Sequence, residues 1–191
     1  MDILSRAISD ATATLQQLAE LRLSLEQAAR RIGDALLAGR KLLVCGNGGS
    51  AADAADFATE FACRFVSDRL PFPAINLASC GSLLTATAND YGVEALFSRP
   101  VRAFGQKGDV LVAISTSGGS ANIVAALQTA KEINVSTIAL LGRDGGKARG
   151  FAEIELVVPG TATARIQEAH KFLLHVLCEL IEPRLQAAGA R

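Results

Sequence analysis

The chain has 191 residues, of which 50% are apolar and 20% charged, so it can close one sizeable core and is too apolar for disorder over most of its length. Nineteen Lys plus Arg balance nineteen Asp plus Glu, so no basic field points to a nucleic-acid partner or an anionic membrane surface. No apolar run reaches the roughly 18–20 residues that span a bilayer, and Met1-Asp2-Ile3-Leu4-Ser5-Arg6 does not open a signal peptide, which predicts a cytoplasmic protein.

In chain order, residues 2 to about 38 read as helical, with Ile8, Ala11, Leu15, Leu18, Leu21, Leu25, Ala28 and Ile32 recurring three or four apart. A stripe of this length exceeds what one domain easily covers, which predicts packing against another subunit. Short continuous apolar runs follow at 41–45, 74–77, 109–114, 135–141 and 154–158, the last closed by Pro159. Helical segments are predicted after the first run through Phe65, then over about 80–88, 94–104 and 119–133, and finally over 163–187. Apolar runs alternating with helices predict an α/β fold, a parallel sheet covered on both faces. No linker or repeat divides the chain, so 1–191 is predicted as one domain, with a helical segment 1–39 and an α/β core 40–191. Four cysteines, Cys45, Cys63, Cys80 and Cys178, lack metal-site spacing and are predicted to be free thiols, mostly buried.

Two strand-to-helix turns carry chemistry. The first run ends in Gly46-Asn47-Gly48-Gly49-Ser50, and the third in Ser115-Thr116-Ser117-Gly118-Gly119-Ser120. Glycines allow close backbone approach, and hydroxyls at a helix start make a neutral anion cradle. Neither turn is GxGxxG or GxxxxGK[ST], so a small phosphorylated ligand is predicted and no nucleotide cofactor. Asn89-Asp90-Tyr91-Gly92 is a polar break that could meet ligand hydroxyls. Glu60 lies among Phe57, Phe61 and Ala62, a setting suited to a general base. Asp56, Glu60 and Arg64 are spaced four apart and are predicted to share one helix face, with Arg64 holding a substrate oxygen or ordering Glu60. His170 and His175 are the two histidines. Gln167 and His175 are about 12 Å apart along a helix, near the limit for sharing one substrate or ion.

Taken together, Cys45–Ser50, Ser115–Gly118, Asn89-Asp90, Asp144-Gly145-Gly146-Lys147 and Arg165-Ile166-Gln167-Glu168 resemble the phosphoheptose isomerases of the sugar isomerase (SIS) domain superfamily, over almost the whole chain. The resemblance implies a flavodoxin-like α/β/α sandwich with a five-stranded parallel sheet, assembled as a homotetramer through the terminal helices. It implies conversion of sedoheptulose 7-phosphate to D-glycero-D-manno-heptose 7-phosphate through an enediol(ate), an early step toward the heptose of lipopolysaccharide or related glycans. Carried over by position, Glu60 and His175 match the catalytic pair. Asn47, Gly48 and Gly49, with the adjoining Ser50, match the first binding loop, and Ser115, Thr116, Ser117 and Ser120 match the phosphate cradle. Asn89, Asp90 and Gln167 match further substrate contacts. The family's zinc set is His, Glu, Gln, His; here Asp56 replaces the first histidine beside Glu60, Gln167 and His175, so zinc binding would need the carboxylate as a ligand. A related class of SIS proteins binds the bacterial replication initiator without catalysis, and others sense sugar phosphates. Retention of Glu60 and His175 favours the enzyme.

Overall fold

Five apolar runs become five parallel strands: β1 Leu42–Gly46, β2 Ala74–Asn76, β3 Val110–Ser115, β4 Ser136–Gly142 and β5 Ile154–Val158. The computed structural model describes residues 2–189; the predicted domain span also takes in Met1, Ala190 and Arg191, which lie outside the described residues. The strand order is β2-β1-β3-β4-β5, with every neighbouring pair parallel. This is the flavodoxin-like order expected from the resemblance. The described residues form seven α-helices around the sheet or its covering layers: α1 Ile3–Gln17, α2 Arg22–Leu37, α3 Gly49–Ala62, α4 Gly81–Tyr91, α5 Ser98–Phe104, α6 Ala121–Glu132 and α7 Thr163–Gly189.

Alternation along each strand builds the two layers of core. Val44, Val112, Ile138 and Leu140 face α2, α3 and α7, packing with Ile32, Phe57, Phe61, Leu173 and Leu177. Their neighbours Leu43, Cys45, Leu111, Ala139 and Leu141 point the other way, against Phe97, Val101, Ile123 and Leu127 of the α5 and α6 layer. Both faces are apolar, which is why the central strands read as unbroken hydrophobic runs rather than as alternating ones.

The long N-terminal helix is broken, against expectation. A tighter 3₁₀ turn at Leu18–Leu21 separates α1, which buries nothing, from α2, which buries seven residues. Leu18 is the first side chain to reach the core. Beyond it the tighter winding re-aims the stripe onto the sheet. Two cysteines depart from the expectation as well: Cys45 and Cys178 are buried, whereas Cys63 and Cys80 are exposed, and all four are free. Burial pushes the Cys45 thiol up to about 12.

Helix α7 is tied down along its length. Near its C-terminal end Glu182 accepts from the Val66 backbone N–H and lies 3.5 Å from Arg69 Nε, with the two side chains 9% and 2% exposed. Arg69 also donates to the Phe61 and Glu60 carbonyls, closing the end of α3. Breaking a buried ion pair strands a charge away from water. Glu182→Ala should therefore lose roughly 3–5 kcal/mol of unfolding free energy in urea melts.

His170, one of the two predicted histidines, is fully buried on α7. Neither ring nitrogen reaches a hydrogen-bond partner. Burial pushes the imidazole down to about 4, opposed by the Leu141 backbone, which lies near without meeting hydrogen-bond geometry. His170 is thus a neutral core residue. The unfolded imidazole titrates near 6.5, so on acidification the unfolded state takes up a proton first. Its share of stability is complete above about pH 6.5 and is lost as the pH falls toward about 4, roughly 3 kcal/mol in all. Urea melts at pH 7.5 and 4.5 should show this loss, and His170→Leu should flatten that part of the slope.

Candidate active site

Strand order reverses between β1 and β3, so the chains leaving these neighbours turn to opposite faces: β1 feeds α3 and β3 feeds α6. The crevice between such strands is where open parallel sheets bind ligands. Both glycine-rich turns open there. Asn47 and Asn122 exchange two amide hydrogen bonds of 2.9 Å across it, tying the β1 turn to the first turn of α6. Gly48, at φ +53°, caps α3 with no side chain in the way, while Ser50 is buried behind the turn.

The β3 turn is held from within and from behind. Ser115 Oγ accepts from the Gly118 N–H at 3.1 Å and lies 3.5 Å from Ser120 Oγ. Ser117 Oγ accepts from the Gly119 N–H. Thr116 is half-buried and Ser117 exposed. Ser120 starts α6 without a side-chain capping bond, leaving the positive end of the helix open to an anion. Gly118 sits at φ +62°, and a Cβ there would stand 2.0 Å from the Gly145 carbonyl oxygen. The Ala148 N–H donates back to the Gly118 carbonyl at 2.8 Å. The Gly145-Gly146 turn after β4 is thus the backing of the cradle.

On the other side of the crevice α3 packs against α7. Gln167 reaches so close to Gly49 that a Cβ there would lie 2.3 Å from its Nε2. Further on, the Lys171 ammonium contacts the Asp56 carboxylate and lies 3.8 Å from Asp53 Oδ1, and Val66 meets Glu182. These contacts climb both elements together, so α3 and α7 run in the same direction. Glu60 and His175, each one turn beyond Asp56 and Lys171, therefore occupy the same level of the seam. The Phe65 ring lies 6.1 Å from the His175 ring. Glu60 also faces α7: its charge adds to the upward push that burial gives the Cys178 thiol. A cavity of about 350 Å³ opens beside Asp53, Ala164, Gln167, Glu168 and Lys171. Asp53 is buried, with Oδ2 unpartnered. Burial raises its proton affinity, with Lys171 opposing and Asp56 adding to the shift.

The model of the SIS domain family matches residues 8–142. A phosphoheptose isomerase of Citrifermentans bemidjiense is 49% identical over 170 residues, covering 89% of this chain and 88% of that one. The chain belongs to the phosphoheptose isomerases of the SIS domain family. The solved phosphoheptose isomerase GmhA of Neisseria gonorrhoeae superposes with a TM-score of 0.88 at 41% identity, covering 94% of this chain and 97% of that one. That of Francisella tularensis gives 0.87 at 35% identity, over 96% and 100%. On this membership the chain is a sugar-phosphate isomerase; of the enzyme and the non-catalytic adaptor, the enzyme is the one its relatives support.

Within this phosphoheptose isomerase fold the predicted residues do not all converge in the same way. Asn47, Gly48, Gly49, Ser50, Ser115, Thr116, Ser117 and Ser120 line the two turns, and Asp56, Glu60, Gln167 and His175 line the α3–α7 seam. Asn89 and Asp90 are exposed in the last turn of α4, with Asn89 Nδ2 donating to Asp90 Oδ1 at 2.7 Å and Gly92 ending the helix at φ +84°. Arg64 is corrected: α3 stops at Ala62, where Cys63 turns to φ −110° and ψ −97°. Arg64 thereby leaves the Asp56/Glu60 face, is exposed, and donates to the Val66 carbonyl of its own loop. Asp53 and Lys171 were not predicted. Their signals were the i, i+3, i+7 run Asp53, Asp56, Glu60 and the i, i+4, i+8 run Gln167, Lys171, His175.

The zinc set does not fit as it stands. The Asp56 carboxylate is taken by the Lys171 ammonium, and among the described residues no three His, Cys, Asp or Glu side chains gather to hold a metal ion. Likewise, among the described residues no helix is long and apolar enough to cross a membrane.

Gly118→Ala tests the cradle, since the added methyl meets backbone on two sides. It should cost isomerase turnover on the order of 10²-fold through displacement of the turn, measured as kcat/KM, with Gly119→Ala, where only the Ser117 hydroxyl is near, much milder.

Proposed function

We propose that the chain interconverts sedoheptulose 7-phosphate and D-glycero-D-manno-heptose 7-phosphate, feeding the heptose of lipopolysaccharide or a related glycan. The reading is supported by a hydroxyl-rich cradle after β3, across the crevice from the start of α3, whose seam with α7 carries a carboxylate and an imidazole at one level. The phosphate is held by the Ser115–Ser120 turn and the N-terminus of α6, using neutral donors and the helix dipole. The β1 turn, Gln167 and the Asn89-Asp90 pair take the sugar hydroxyls. With the anion fixed at one end, the carbonyl end of the chain is directed toward Glu60 and His175.

The reaction moves two protons. One leaves C1 of the ketose and arrives at C2, while another passes from the C1 hydroxyl to the C2 oxygen, through an enediol(ate). Glu60 and His175 share these transfers; a carboxylate and an imidazole suit a step that must both remove and return a proton near neutral pH. No step requires a nucleotide.

The family resemblance and the free face of α1 support a homotetramer. Ile3, Leu4, Ile8 and Leu15 stand exposed on that helix, while Arg165 of α7 donates to the Ala7 carbonyl at 2.7 Å and fixes it against the body. An apolar stripe held in place is suited to cover by another copy.

Incubation with sedoheptulose 7-phosphate should yield the aldose. Glu60→Gln and His175→Ala should each lower kcat by roughly 10²–10⁴-fold, with smaller changes in KM, the range that one acid–base group contributes. Undiminished turnover in both variants would remove the assigned roles.

A further inference from the structure

Asp56, Glu60, Gln167 and His175 are spread along the seam, and the Asp56 carboxylate is held by a lysine. The Lys171 ammonium touches the Asp56 carboxylate and lies 3.8 Å from Asp53, whose side chain is 9% exposed while that of Lys171 is 29% exposed. On α7 it stands one turn after Gln167 and one turn before His175, and it lines the cavity beside Gln167. An ammonium offers three donors and no lone pair. A dication sharing the Asp56 carboxylate would face it at contact distance, like charge against like charge.

We propose that Lys171, anchored by Asp56 and Asp53, takes the place of a divalent metal ion in this cleft, and that the chain turns over its substrate without one. The two residues act as a unit: the carboxylate that replaces the family's histidine is the partner of the lysine. Lys171 is a positioning residue. It joins α3 to α7 one turn below Glu60 and His175 and sets the level at which those two groups meet the sugar, as a shared metal ion would. By neutralising Asp56 it also lowers the negative charge at the cleft wall, where oxygen-bound negative charge develops in an enediolate. The catalytic half of this proposal rests on the isomerase reading above; the metal half does not.

The test measures metal and turnover separately. Wild type, Lys171→Met, Lys171→Arg and the double variant Asp56→His with Lys171→Met are purified without chelator, analysed for metal and titrated with zinc by calorimetry. Wild type and Lys171→Arg should hold no stoichiometric zinc, and wild-type turnover should survive EDTA. The double variant, with an imidazole added and the competing cation removed, should bind about one zinc per chain. Lys171→Met should lose roughly tenfold or more in kcat with KM nearly unchanged, and Lys171→Arg should recover most of it. If the double variant does not fold, Asp56→His alone, which removes the lysine's anchor, should gain zinc. Stoichiometric zinc in wild type, turnover abolished by EDTA and restored by zinc, or an unchanged kcat in Lys171→Met would each overturn the proposal. Wild type that holds no zinc and ignores sedoheptulose 7-phosphate both with and without added zinc would remove the proposed substrate and leave the metal assignment standing.

Discussion

The site depends on one topological constraint, the reversal of strand order between β1 and β3. Right-handed crossovers send α3 to one face of the sheet and α6 to the other, so the turns that begin them part and leave a crevice between neighbouring strands. Two helix N-termini face that crevice without any charged side chain having to be buried for the purpose. The reciprocal Asn47–Asn122 amide pair spans it and fixes the separation of the turns. Each amide satisfies the other, so the bridge adds no unpaired polar group.

From this constraint follows a division of labour. The β3 side, backed by the Gly145-Gly146 turn, is rigid backbone in which any Cβ at Gly118 would collide. It suits a ligand group of fixed shape, such as a phosphate. The α3–α7 side is made of side chains on two helices that climb together, joined by Asp56 with Lys171 and closed at the far end by Arg69 with Glu182.

Much of this was legible in the residues. The five strands were marked by continuous apolar runs because both faces of the sheet are covered, and the turns by glycines and hydroxyls that strands and helices otherwise disfavour. What escaped were features decided by distant partners. Beyond its four-residue spacing from Gln167 and His175, nothing local distinguishes Lys171 from a surface lysine until α3, more than a hundred residues earlier, is laid beside it. Arg64 fits the four-residue spacing of Asp56 and Glu60, but Arg69 claims the carbonyls of Glu60 and Phe61 and the helix ends before Arg64 is reached. The break at Leu18–Leu21 is equally invisible in a periodicity that runs through it. Cys63 and Cys80 stand exposed because they flank helix ends rather than lie within them.

The 27-residue α7, with Pro183 inside it near the C-terminal end, is one helix some 40 Å long. Gln167 sits in the void that Gly49 leaves, whereas the opposite extremity is clamped through Glu182 and through Arg184 to Asp34. The register of Gln167 along α7 is therefore tied to contacts about four to five turns away, at the far end of the same helix.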